Sequence, residues 1–350
     1  MRKACWILIC SFCLVSLNAA DSNQSFIAHL DNIKAITSTV PANGDVNPYG
    51  VAIVPRTVGA LVENEVLVSN FNNSQNLQGT GTTIVQVGPN GDAKLFAQIS
   101  AGSVPGCTGG VGLTTALVAL RAGFVIVGSL PTTDGTSATA KAGCLIILDA
   151  NGKPVGTLAG NGINGPWDMT AADFGTAALL FVSDVFNGSV MRILLVFDGP
   201  DGAPREVTST VIASGFAERT DPAALVIGPT GLAIGPNGSL YVADTLANRI
   251  ATVSGAFFRL DSAGTGDTLS KGGALNGPLG LALAPNGDLL TVNSGDGNMV
   301  DISAQGQQLT VRNVDVTGTG AGTLFGLAID PHGNGVYFVN DGNNMLYLLR

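Results

Sequence analysis

An apolar run that starts beside a glycine, passes a tight turn and continues as a second apolar run recurs six times along this chain. The clearest copies are GPTGLAIGPNGSLYVADTLANRI from Gly228, GPLGLALAPNGDLLTVNSGDGNMV from Gly277 and LFGLAIDPHGNGVYFVNDGNNMLYLL from Leu324. NPYGVAIVP from Asn47, followed by NEVLVSN, is a fourth. GGVGLTTALVALRAGFVIVGS from Gly109 and GPWDMTAADFGTAALLFVSD from Gly165 complete the set. Five copies carry glycine in one slot (Gly50, Gly112, Gly231, Gly280, Gly326), and the sixth has Asp168 there. The slots lie 46 to 63 residues apart, the length of one four-stranded sheet with its loops.

Each copy reads as strand, turn, strand, loop, strand, turn, strand. Pro-Asn-Gly joins antiparallel neighbours because Asn and Gly accept the positive φ of a tight hairpin. One such sheet cannot cover both of its faces, whereas six stacked radially can. The expected fold is therefore all-β: a six-bladed β-propeller of four-stranded antiparallel blades. The chain stops after NNMLYLLR, the third strand of the last blade, so IKAITSTVP (Ile33 to Pro41) is expected to supply the fourth and close the ring. The motif G-P-x-G-L-A, P-N-G, L-Y-V-A-D, N-R-I resembles that of the NHL-repeat β-propellers, over nearly all of the chain beyond its first twenty residues.

Those first residues read differently. Arg2 and Lys3 precede the apolar segment Ala4 to Leu17, and LNAAD offers a small-residue cleavage site after Ala19 or Ala20. The expectation is a signal peptide over residues 1–20, a single propeller domain over 21–350, and export to a periplasmic or secreted location. No segment of the mature chain is long and apolar enough to span a membrane. Cleavage removes Cys5, Cys10 and Cys13 and leaves Cys107 and Cys144, which in an exported chain suggest one disulfide. It also moves the formal charge from −9 to −11 by taking Arg2 and Lys3. An acidic chain without a basic stripe is a poor match for nucleic acid.

Strand alternation puts the fourth-to-first and second-to-third loops on one face and the short turns on the other. The long loops NFNNSQNLQGTGT, LPTTDGTSATAKAG, SGFAERTDPAALVIGP and DSAGTGDTLSKGGALNGP are assigned to the first face, and a site is expected there, around the mouth of the central channel. Features shared by every blade build the blade; departures are candidates for function. The residues before the slot are Tyr49, Val111, Trp167, Thr230, Leu279 and Phe325. Tyr49, Trp167 and Phe325 are read as contact surface for a ligand, with Asp168 as its polar anchor. Second strands end at Asn70, Ser129, Asp184, Asp244, Ser294 and Asp341, which serve either as ligands or as caps on backbone amides.

Several chemistries lack their residues. A three-histidine zinc site needs a third histidine beside His29 and His332, and His332 falls in a turn on the opposite face. A Ser-His-Asp triad would need the same two histidines, and no G-x-S-x-G stretch occurs. GNGING (Gly160 to Gly165) matches G-x-G-x-x-G by letter but leads into a strand rather than a helix. The expected function is thus an exported binding scaffold for a protein, peptide or glycan on the long-loop face, without a cofactor. The alternative follows from resemblance to six-bladed lactonases and esterases such as gluconolactonases and paraoxonases: a calcium-dependent hydrolase or lyase. Its oxygen ligands would come from Asn47, Asp184, Asp244, Asn293 and Asp341, with Asp168 and Asn340 nearby. The Glu-Gly-Pro and Asn-Gly-Leu-x-Trp stretches of that family are missing.

Overall fold

The computed structural model describes residues 24–197, 202–222 and 224–350; the expected signal peptide lies outside them. Six four-stranded antiparallel sheets stand around one axis. Their inner strands are Val46–Ile53, Leu113–Ala119, Pro166–Asp173, Pro229–Ile234, Pro278–Leu283 and Leu324–Ile329, and we number the blades in that order. The outer strand of blade 6 is Ile33–Ser38, which pairs with Met345–Leu349 from Ile33 opposite Leu349 to Ser38 opposite Met345. The ring is closed by its amino-terminal strand, as the missing fourth strand required. No helix among the described residues is long and apolar enough to cross a membrane.

The glycine slot has a steric cause. In every blade the inner and second strands pair where the inner strand begins, for instance Pro278 with Asn293, then slip register before resuming, there at Leu281 with Thr291. In five blades the slot sits in that irregularity, where the next inner strand passes closest. In blade 2 the slip runs from Leu113 to Leu117, so Thr115 holds the equivalent position and Gly112, assigned to the slot from sequence, lies just ahead of the strand. A Cβ at Gly231 would stand 2.1 Å from the Leu279 carbonyl oxygen, at Gly280 2.4 Å from that of Phe325, and at Gly326 2.2 Å from that of Tyr49. Blade 3 does otherwise. Asp168 fills its seam with blade 4, and its Oδ2 accepts the Leu232 backbone N–H at 2.9 Å.

Ladder register corrects two further assignments made from sequence. The residue equivalent to Asp244, which faces Pro229, is Asn293 in blade 5 and Asn340 in blade 6, each one position earlier than Ser294 and Asp341. The stretch DSAGTGDTLSKGGALNGP is not one long-loop segment either, because Asp267–Lys271 within it is the outer strand of blade 4. Residues before that strand cross to the outer edge of blade 3. There Phe257 stacks on Phe181 at 5.6 Å, and Ala263 N–H donates to the Ile212 carbonyl. A short strand flanked by glycines has little apolar signal to distinguish it from a loop.

Cys107 and Cys144 form a disulfide with Cα atoms 5.5 Å apart, tying the loop before the blade 2 inner strand to the start of its third strand. A second tie fastens the amino-terminal segment to blade 5. Asp301 Oδ2 accepts Ser25 Oγ–H (2.7 Å) and Ile27 N–H (3.1 Å), and Asp288 Oδ2 accepts Phe26 N–H at 3.3 Å. Burial, and then the neighbouring Asp288 carboxylate, push the Asp301 carboxyl up to about 6. Arg312 is engaged elsewhere, with Asp31 at 3.0 Å, and the His29 ring bonds Gln24 at 2.7 Å. A carboxyl whose folded pKa is raised takes up its proton more readily when folded. Its contribution is therefore complete at acid pH and is lost as pH rises through about 6. Asp301→Asn, which keeps an acceptor and removes the charge, should raise the melting temperature at pH 7.5 and leave it nearly unchanged at pH 4.5. Equal shifts at both pH values in thermal denaturation would contradict this.

Candidate functional site

Four of the six residues preceding the slot (Tyr49, Trp167, Leu279 and Phe325) converge, but not on an open mouth, while Val111 packs against another core. Tyr49, Trp167 and Phe325 are 1, 2 and 4% exposed. Tyr49 stacks on Phe325 at 3.8 Å and on Phe71 at 4.5 Å, and Trp167 meets Tyr49 and Phe71 edge-on, each at 5.7 Å. Leu279, Leu130 and Val185 complete this cluster together with Leu225 and Val226. The last two come from a hairpin, Arg219–Asp221 with Leu225–Ile227, laid across the long-loop end of the axis. Residues expected to offer contact surface are therefore packed into one another as a stopper. Their apolar faces gain more from that burial than from standing in water. Phe71, Leu225 and Val226 were missed in the sequence; an apolar ALVI run inside a long loop was the available signal.

The axial channel survives below the stopper as a cavity of about 250 Å³ lined by inner strands of all six blades. Trp167, Thr230, Leu279 and Phe325 form its buried end, whereas Ile53, Ala119, Asp173 and Ala328 at the other end are partly exposed. It opens on the short-turn face, opposite to the expected one. Asp168 lines it, half-buried, with part of its surface facing the channel. Burial pushes its carboxyl up to about 7 against the pull of the Met169 and Leu232 N–H groups.

The five expected oxygen ligands are scattered by the fold. Asp184 is occupied by backbone amides of Asn164 (2.6 Å), Gly165 (2.8 Å) and Asn187 (3.1 Å). Asp244 pairs with buried Arg249 at 2.8 Å. Asn293 accepts the Asn276 N–H and donates to the Ala274 carbonyl. Among the described residues no group of three or more His, Cys, Asp or Glu side chains stands ready for a metal.

Asn47 and Asp341, by contrast, meet. Both line a cleft of about 550 Å³ on the long-loop face, at the seam between blades 6 and 1, with Asn72, Asn76, Thr323 and Asn344. Asn47 takes a left-handed conformation (φ 64°), held by its N–H to Asn344 Oδ1 at 2.7 Å. Asn72 Nδ2 donates to Asn76 Oδ1 at 2.7 Å. Asn47 Oδ1, Asn72 Oδ1 and Thr323 Oγ1 are buried without a hydrogen-bond partner. Burial, and then the charge of Asp315, push the Asp341 carboxyl up to about 7. Asp315 itself stays ionised. Burial alone would raise it, but hydrogen bonds from Thr317, Gly320 and Asn340 outweigh that and hold it at about 2. Burial, and then the Asp341 charge, also raise the Tyr49 hydroxyl well above its ordinary value. The cleft is thus rich in acceptors and negative in potential.

No protein-family model and no curated protein sequence matches the chain. Solved structures match in fold. A gluconolactonase from Xanthomonas campestris is 15% identical with a TM-score of 0.54, over 89% of this chain and 87% of its own. A calcium-binding regucalcin from Agrobacterium tumefaciens is 12% identical, with a TM-score of 0.54 over 90% and 95%. A virginiamycin B lyase from Staphylococcus aureus is 14% identical, with a TM-score of 0.53 over 91% and 85%. At such identity these likenesses establish the six-bladed propeller fold and nothing finer. The NHL motif remains a resemblance in sequence.

Proposed function

We propose that this protein is a propeller of the hydrolase or lyase kind that handles a small molecule on its long-loop face, with a calcium-class cation in the cleft between blades 6 and 1. The observation that carries this reading is the gathering of Asn47, Asn72, Thr323 and Asp341, three of them with buried oxygens that lack partners. Hard cations favour such carboxylate, amide and hydroxyl oxygens. The donors fit the cation in type. Asn47, Asn72 and Asp341 would hold it, and a bound cation would polarise a carbonyl of an ester or lactone. The chain's own contribution is positional. The Asn47 N–H bond to Asn344 and the Asp315 clamp on loop 315–320 keep the two walls of the cleft in place.

The sequence-based binding scaffold keeps its face in this reading but loses its aromatic contact surface, since those rings form the stopper. The neighbours in fold include enzymes named as a gluconolactonase and a lyase, which supports the hydrolase or lyase reading.

With one carboxylate and neutral amides, affinity should fall near the Kd of about 10⁻⁴–10⁻³ M seen for calcium in extracellular modules. At 10 mM calcium and a Kd of about 1 mM, binding would stabilise the fold by about 1.4 kcal/mol, a rise in Tm of a few degrees. Asp341→Asn should abolish that rise. A calorimetric titration to 10 mM without heat, or an undiminished rise in the variant, would exclude the cleft as a cation site.

A further inference from the structure

The axial channel is a second site that the proposed function does not use. It is closed at the long-loop end by the stopper and reached from the short-turn face. Its walls mix apolar side chains, among them Val51, Ile53, Val118 and Ala328, with threonines (Thr115, Thr170, Thr230) and strand backbone. Two carboxylates interrupt them. Asp173 sits towards the open end, with both oxygens on backbone amides of Arg121 (2.6 Å) and Gly175 (2.8 Å). Asp168 sits near the closed end, and no Lys, Arg or His is among the lining residues.

A carboxylate held deep in a narrow shaft is costly unless a cation or a proton joins it. The two backbone N–H groups it accepts offset that cost only in part, since burial still outweighs them at neutral pH. The missing partner is thus a positive charge small enough for a narrow tube. A primary ammonium on a short hydrocarbon body fits: its head can donate to the carboxylate while its chain lies against Val51, Ile53 and Val118.

From this geometry we infer that the channel binds small aliphatic ammonium compounds, head inward at Asp168, entering from the short-turn face. The cavity volume, about 250 Å³, lies just under the roughly 300 Å³ at which small-molecule sites begin, so the ligand is correspondingly small. This inference stands apart from the cation cleft, which lies beyond the stopper.

The test is calorimetric titration of the whole protein with n-butylammonium chloride, n-butanol and sodium butyrate at matched ionic strength. Butylammonium should bind, butanol at least about tenfold more weakly, and butyrate not at all, given the strength of a charge-assisted hydrogen bond. Asp168→Asn keeps an acceptor for the Leu232 amide and should weaken butylammonium by roughly tenfold or more. Ala328→Phe at the open end leaves Asp168 untouched and should block access. Near pH 7 the heat should also depend on the ionisation enthalpy of the buffer, because Asp168 gives up a proton as the ammonium docks. An ion pair on the surface would show no such dependence. No binding of butylammonium, equal binding of butanol, or full affinity in either variant would overturn the inference. Calcium titration of the same variants should be unchanged, so failure here is distinct from failure of the cleft.

Discussion

Trp167→Ala is expected to destabilise the protein by about 3–5 kcal/mol, the range for removing a fully buried large aromatic. Trp167 is 2% exposed and touches two other rings edge-on, so the substitution leaves a void that rigid neighbours cannot fill. Each lost aromatic pair adds about 0.5–1.5 kcal/mol to the loss of buried area. Collapse is hindered because the stopper draws on blades 1, 3, 5 and 6 and the hairpin at once. Moving one ring to fill the gap would shift a strand. Trp167→Phe should recover most of the stability. Denaturant titration checks both, and a loss under about 1 kcal/mol for alanine would mean that the rings are not a packed unit.

Deleting residues 24–38 should have the other large effect: no cooperative unfolding transition, and association through the uncovered edge of blade 6. The deletion removes the strand that pairs with Met345–Leu349 and withdraws Ile27, which is fully buried between blades 5 and 6. An unpaired strand bearing Leu346, Tyr347 and Leu349 is a template for other chains. Ile27→Asp tests the same seam without truncation. A charge at that apolar position has no partner, and the expected penalty is several kcal/mol. Size-exclusion chromatography and thermal denaturation give the answer. A monomer with a sharp transition after deletion would show that blade 6 stands without its outer strand.

The ring was legible because its cause is local and repeated. The slot glycines of blades 1, 4, 5 and 6 each answer a carbonyl of the next blade, and each Pro-Asn-Gly answers a hairpin, so similar strings imply similar sheets. The disulfide was legible for a similar reason, since only two cysteines remain past the expected signal peptide. The site was harder. Whether Trp167 faces water depends on Leu225 and Val226, some sixty residues away, and no period in the sequence links them. Asp341 owes its place to a register shifted by one residue from the assumed strand end, which puts it in the loop beside Asn47. Asn72 and Thr323 carry no motif. They matter through what they lack, a partner for a buried oxygen, and partners are visible only in three dimensions.

The stopper also sets the traffic. Because the shaft ends blind at Trp167 and Phe325, whatever enters must leave by the same door, and no polymer can be drawn through the wheel. The two ends of the axis are separate rooms with separate chemistry, so crowding in one need not be felt in the other. The rings between them are locked on one another, with Tyr49 held between Phe71 and Phe325.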